Sequence, residues 1–206
     1  SCVYNGTDKF ANYWVHNGFV TMNKEKMSKS LGNITTIEEA TKKYSGQVVR
    51  LSLLSAQYKQ PLDWNNNLLI EQSKTLNKWY SMYSSEVSEK IPDCFNDLLD
   101  DMNTPLYISK LHELFNQAHK GDSEKKKEFN KACRLIGLFC ETNEKRTEYK
   151  KNKVKISEDI ILNKIKDRDS AKKKGDYKLA DKIRDDLSKE GIDIKDEKGK
   201  TTWNYK

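Results

Sequence analysis

Large apolar side chains recur three and four residues apart along most of this chain, and no feature restricts its fold more. In QVVRLSLLSAQY (residues 47–58), Val48, Leu51, Leu54 and, across the next turn, Tyr58 fall on one stripe, the period of a helix facing a core. Leu68, Leu69, Leu76, Trp79, Tyr80 and Tyr83 predict a long amphipathic helix between Asn67 and Glu89. Similar stripes run from Leu106 to Ala118 and from Phe129 to Phe139. Helices of this kind predict an antiparallel bundle. Trp14, Trp64 and Trp79 read as core aromatics.

On either side of this region the pattern changes. NYWVHNGFVTM (residues 12–22) sets aromatic and β-branched residues around His16, Asn17 and Gly18, which predicts extended structure, a turn, and extended structure again. His16 is read as holding that turn through backbone bonds. Thr35 and Thr36 are N-cap candidates for a helix running to Tyr44, with Glu38 and Glu39 in its first turn. Ser45 and Gly46 break it, and Pro61 closes the helix that follows. His112 and His119, seven apart, share one helical face as surface residues, without a third ligand that would make them a metal site. The lysine-rich stretch from Thr142 to Lys155 reads as a linker or an exposed helical extension, with a boundary near 145–155. Beyond it the sequence predicts two helices joined at Lys174, Gly175 and Asp176, a stop at Gly191, and a small hairpin in IDIKDEKGKTTWNYK.

Only 35% of the 206 residues are hydrophobic and the mean hydropathy is −0.92, so several modest cores are expected rather than one large one. Ten tyrosines and four tryptophans argue against wholesale disorder. The formal charge is +7, of which residues 141–206 supply +5 through 20 Lys+Arg against 15 Asp+Glu. That balance favours a polyanionic partner such as nucleic acid. Cys2, Cys94, Cys133 and Cys140 are far apart with no CxxC pair, which points to reduced thiols in a cytoplasmic protein. No apolar run reaches membrane-spanning length, so no membrane partner is expected. The opening SCVYNGTDKF has no initiator Met or leader features, as though the chain continued a longer one.

One stretch does not fit an amphipathic helix. KEKMSKSLGN (residues 24–33) places Lys26 and Lys29 three apart, with Ser28 and Ser30 between and after them and Gly32 close behind. Lysine supplies a compact, movable positive charge and serine a short hydrogen bond, so such a loop can close around a phosphate chain. The plain alternative is a solvated basic loop. Neither GxxxxGK[ST] nor GxGxxG is present, which excludes the commoner phosphate loops.

KMSKS (residues 26–30) resembles the second signature of class I aminoacyl-tRNA synthetases. Around it YWVHNGFV, SLGN, VVRLSLLSAQYKQPLDW, DDMNTP, AKKKGDYKLADKIRDDL and KGKTTW, in that order, are similar to the cysteinyl-tRNA synthetase family over almost the whole chain. The resemblance implies a mainly α chain: the end of a Rossmann-type catalytic domain with the KMSKS loop, then a helical bundle, then a small C-terminal α/β module. The corresponding divisions are 1–35, 36–66 as a linking segment, 67–145 as the tRNA-binding bundle, and 146–206 as linker and anticodon module.

The same resemblance implies that ATP, as its magnesium complex, activates cysteine and that the cysteinyl group passes to cysteine tRNA, in a monomer. Lys29 is the first choice for stabilising charge on the phosphates and Lys26 the second, with hydrogen bonds from Ser28 and Ser30 and packing from Met27 completing ATP binding. The family's first signature, HIGH-like, and its zinc ligands are not among these residues, so no metal is expected here and the segment by itself is expected to be inactive. Lys172, Tyr177, Asp181 and Asp196 are the implied anticodon readers. Each has a plainer reading: Tyr177 packed on Trp203, Asp181 and Lys172 on a solvated face. Asp196 is favoured because it is expected on the loop that opens the terminal hairpin. Two other functions stay open, a non-catalytic RNA-binding module and a related ligase joining cysteine to an amino sugar.

Overall fold

Short polar side chains start most of the helices. Thr36, Ser45, Asn65, Asn103, Asp122, Thr142 and Asp176 each accept a hydrogen bond from a backbone amide in the first turn that follows. At Thr36 the arrangement is reciprocal, because Glu39 accepts from the Thr36 amide while donating its own amide to the threonine hydroxyl. The computed structural model describes residues 2–6, 8–28, 30–197 and 200–205, and their side chains apart from those of Cys2, Asn5, Glu197 and Lys200. It is mainly helical with two small sheets, and it divides into two compact units, Ser1–Cys140 and Glu141–Lys206.

The first unit opens with α1 (Cys2–Asn5) and a hairpin of β1 (Val20–Met22) and β2 (Glu25–Lys26). After α2 (Ile37–Lys43) and α3 (Gly46–Leu54), β3 (Leu62–Trp64) returns parallel to β1, giving the order β2-β1-β3 with Thr21 opposite Asp63. Then come α4 (Asn66–Trp79), α5 (Phe95–Leu99), α6 (Thr104–His119) and α7 (Ser123–Leu135). Trp79, Phe115 and Phe129 meet edge to face in the core, with Trp79–Phe129 and Phe115–Phe129 centroids both 5.7 Å apart. Tyr107, fully buried, donates its hydroxyl to the Ala132 carbonyl at 2.8 Å. His112 and His119 lie on the surface, edge-on to Trp79 and stacked on Phe115.

Several expectations need correction, each because a tertiary contact ends or displaces a local pattern. Residues 12–19 form neither strand nor turn. Gly18 donates its amide to Tyr58 O and Phe19 accepts from Leu62, so this segment lies extended along residues 58–62 and the hairpin turn moves to Asn23 and Lys24. His16 is exposed and holds no turn. Trp14 is 66% exposed, stacked on Phe10 outside the hydrophobic clusters, because a tryptophan on an irregular segment has no second layer to pack into. The third helix stops at Leu54, leaving Tyr58 in a turn where its hydroxyl donates to Asp101 at 2.8 Å.

The predicted helix from Asn67 to Glu89 stops at Trp79, followed by one 3-10 turn at Tyr80–Met82. Asn130 accepts from the Ser84 amide at 2.8 Å and Arg134 donates to the Ser84 carbonyl at 2.7 Å, so partners across the fold replace the helical ones. Phe139 likewise lies beyond α7. Gly137, at φ 74°, closes that helix with Leu138 N bonded to Cys133 O and Gly137 N to Arg134 O, and Phe139 swings back into the core.

In the second unit, α8 (Asn143–Lys153) is a largely exposed helix in which Arg146 and Lys150 are half-buried and no residue is fully buried, the helical extension of the two readings. The helices α9 (Glu158–Lys173) and α10 (Tyr177–Lys189) are joined by Lys174, Gly175 and Asp176, with Gly175 at φ 77°. Strands β4 (Ile192–Glu197) and β5 (Lys200–Tyr205) form the terminal hairpin, Ile194 opposite Trp203 and Asp196 opposite Thr201. Ile161, Ile165, Leu187, Ile192 and Ile194 form its core. Asp196 therefore lies within a strand rather than on the loop, because the pairing extends to the end of the hairpin.

Candidate phosphate loop and nucleic-acid interface

The hairpin mounts the basic loop. Asn23 and Lys24 both have left-handed backbones, φ 52° and 68°, as a two-residue turn between right-twisted strands requires. The Asp63 carboxylate on β3 holds that turn, accepting from Lys24 N at 2.6 Å, Thr21 Oγ1 at 2.9 Å and Asn65 Nδ2 at 2.9 Å. The Lys24 amide, then the Asn65 and Thr21 side chains, draw its pKa below the ordinary carboxylate value.

Lys26 leaves β2 exposed, its Nζ 5.4 Å from the centre of the Phe19 ring. Met27 is half-buried and lines, with Val20, Ile37, Val49, Leu53 and Trp64, a small apolar pocket of about 190 Å³. The loop is tied internally by Asn33, which accepts from the Ser28 amide at 2.8 Å and donates to the Lys26 carbonyl at 3.3 Å. Ser28 and Ser30 hydroxyls lie 3.2 Å apart, and Ser28 Oγ also accepts from Leu31 N at 3.3 Å. Lys29, the first-choice phosphate ligand, lies outside the described residues. Asn33 and Asp63 were not read as site residues in the sequence. Asn33 was legible only as part of SLGN, and nothing local marks Asp63, which acts across 39 residues.

The second unit brings Lys172 and Asp196 together. Lys172 Nζ lies 2.6 Å from Asp196 Oδ2, and Arg168 grips both oxygens of the same carboxylate, Nη1 to Oδ1 at 3.0 Å and Nη2 to Oδ2 at 2.9 Å. The Thr201 hydroxyl lies 3.0 Å from Asp196 Oδ1 and 2.9 Å from Asp169 Oδ1, and its one proton serves either carboxylate. Arg168 and then Lys172 hold the Asp196 pKa far below the usual carboxylate range. Asp181 is exposed and adds to the negative field around Arg168. Tyr177 is 66% exposed at the start of α10, while Trp203 pairs with Tyr205 at 5.1 Å. Arg168 was missed in the sequence, although an arginine three residues after Ile165 and three before Ala171 stands on the buried stripe of α9. Among the described residues no three His, Cys, Asp or Glu side chains converge as a metal site, and no helix is long and apolar enough to cross a membrane.

Residues 1–75 match the family described as tRNA synthetases class I (C) catalytic domain. A cysteine–tRNA ligase of Pelagibacter ubique is 46% identical over 98% of this chain and 45% of its own length. One from Afipia carboxidovorans is 39% identical over 96% of this chain and 43% of its own, and one from Rickettsia bellii 40% identical over 94% and 44%. The chain thus spans less than half the length of these curated relatives. A solved LeuRS–tRNA–LeuAMS ternary complex from Agrobacterium radiobacter K84 matches 58% of this chain and 19% of its own at 19% identity, with a TM-score of 0.44.

Proposed function

Because the chain belongs to the cysteine–tRNA ligase family, we propose that it serves ATP-dependent activation of cysteine and transfer of the cysteinyl group to cysteine tRNA. The observation that carries this reading is the 46% identity extending over 98% of the chain, through the loop and the terminal module alike. Its contribution is the KMSKS loop and the RNA-binding elements that follow it.

In the first step the cysteine carboxylate attacks the α-phosphorus of ATP and pyrophosphate leaves, so negative charge shifts onto the leaving oxygens. A fixed ammonium group there lowers the barrier electrostatically, with no proton exchanged. Lys29 supplies that charge and Lys26, free to swing from the end of β2, adds to it. The Asn33 bonds to Ser28 and Lys26 support this role, because they shape the segment from which Lys26 extends. Ser28 and Ser30 offer hydroxyls to the same phosphates. In the 206 residues ATP would be held through these side chains, with magnesium neutralising the phosphates; zinc is assigned to none of them.

In the second unit, Lys172, Tyr177, Asp181 and Asp196 serve the recognition of splayed anticodon bases by hydrogen bonding and stacking, which the exposure of the Tyr177 ring supports. The test of the catalytic reading is Lys29→Ala in a ligase of full family length carrying this segment. Cysteine-dependent pyrophosphate exchange should fall by roughly 100-fold or more while cysteine binding holds, the scale of losing one transition-state charge contact. An unchanged exchange rate removes Lys29 from the mechanism.

A further inference from the structure

The turn that carries the basic loop contains a residue that does not favour it. Two-residue turns between right-twisted strands need left-handed backbone at both central positions, and glycine is preferred at the second because it takes that conformation without strain. Here the second position is Lys24, at φ 68°, after Asn23 at φ 52°. Asparagine tolerates a left-handed backbone, but the Cβ of a lysine crowds the carbonyl that follows. Some contact from outside the turn has to hold Lys24 there.

The Asp63 carboxylate supplies that contact. Its Oδ1 accepts the Lys24 amide at 2.6 Å, a short charge-assisted hydrogen bond, and the Thr21 hydroxyl at 2.9 Å, while Oδ2 accepts from Asn65 Nδ2 at 2.9 Å. Asn65 is itself fixed, because its Oδ1 caps α4 by accepting from Leu68 N at 2.9 Å. A 14-residue helix therefore sets the carboxylate, and the carboxylate sets the turn. The register places Asp63, Thr21 and Lys26 in one row across β3, β1 and β2, so Lys26 leaves the sheet from a row that the same carboxylate ties together.

Building on the adenylation role given to the loop above, we propose that Asp63 is a positioning residue for that reaction: it holds Lys24 in a backbone conformation that lysine disfavours, and so fixes the direction in which Lys26 leaves the sheet towards the phosphates of ATP. It acts through the turn and not on the substrates. The competing role for the same carboxylate is to stabilise β3 and the start of α4 alone. The two roles differ in what Lys24→Gly does, because only a latch on a strained turn becomes dispensable once the strain is gone.

Cysteine-dependent pyrophosphate exchange would be measured in a ligase of full family length carrying this segment. Asp63→Ala should lower kcat/KM for ATP roughly 10- to 100-fold, the scale of losing one charged hydrogen bond, with the KM for cysteine unchanged. Asp63→Ala combined with Lys24→Gly should recover exchange to within about 3-fold of the wild type. In the 206-residue chain, trypsin should cut after Lys26 roughly 10-fold faster in Asp63→Ala, and at close to the wild-type rate in the double variant.

Full exchange in Asp63→Ala overturns the proposal. So does a double variant as slow as the single one, which would place the role of Asp63 in β3 and α4, and so does a turn opened to trypsin without loss of exchange. If Asp63→Ala does not fold, the double variant decides: it should fold and exchange, and one that is also unfolded overturns the proposal. A wild-type ligase whose exchange ignores Lys29→Ala refutes instead the reading on which the positioning role rests. The trypsin measurement needs no activity and still reports whether Asp63 holds the turn.

Discussion

Lys150 illustrates how a single side chain can carry a pH dependence that no motif announces. On α8 it donates to the Tyr205 carbonyl at 3.3 Å, and burial, then the neighbouring Arg146 charge, push its pKa down to about 8. An unfolded lysine titrates near ~10.4, so the folded state releases the proton first. The penalty for holding the charge is complete below about pH 8 and fades as the pH rises towards ~10.4. The thermal unfolding midpoint of the wild type should therefore rise relative to Lys150→Met across that window. Parallel curves for the two proteins would reject the assignment. Asp196 has the opposite sign: its depressed pKa, set first by Arg168, gives stability that is present above the ordinary carboxylate range and lost as acid protonates it.

Among the elements, the three-stranded sheet depends on one glycine. A methyl group at Gly18 would run into the Gln60 carbonyl, which is backbone and has no rotamer to yield. Gly18→Ala should thus force β1 away from β3 and cost about 1–3 kcal/mol, measured by urea unfolding of the 206-residue chain. A change within about 0.5 kcal/mol would show that the two segments separate freely. Helix starts, by contrast, were legible, since Thr36 and Glu39 cap each other from three residues apart. Helix ends were less so. The stripe from Leu68 to Tyr83 continues at helical spacing past Trp79, but Asn130 and Arg134 on α7 claim the backbone of Ser84.

At the scale of the whole molecule, these 206 residues include the KMSKS loop and a basic terminal unit but no HIGH-like signature. The chain alone should bind tRNA in a salt-dependent manner and show no cysteine-dependent pyrophosphate exchange above background; exchange above background would mean that the loop forms a working site without that signature. The helical composition, the two helices and hairpin of the terminal unit, and the KMSKS loop were set by the sequence alone, because periodicity, caps and turn residues act within a few positions. Tertiary structure alone decided that Asp63 latches the loop's hairpin, that Trp14 stays outside the core and that Arg168 clamps Asp196. Each of these depends on which groups meet across tens of residues, and hydrogen bonds and burial are properties of that meeting rather than of local order.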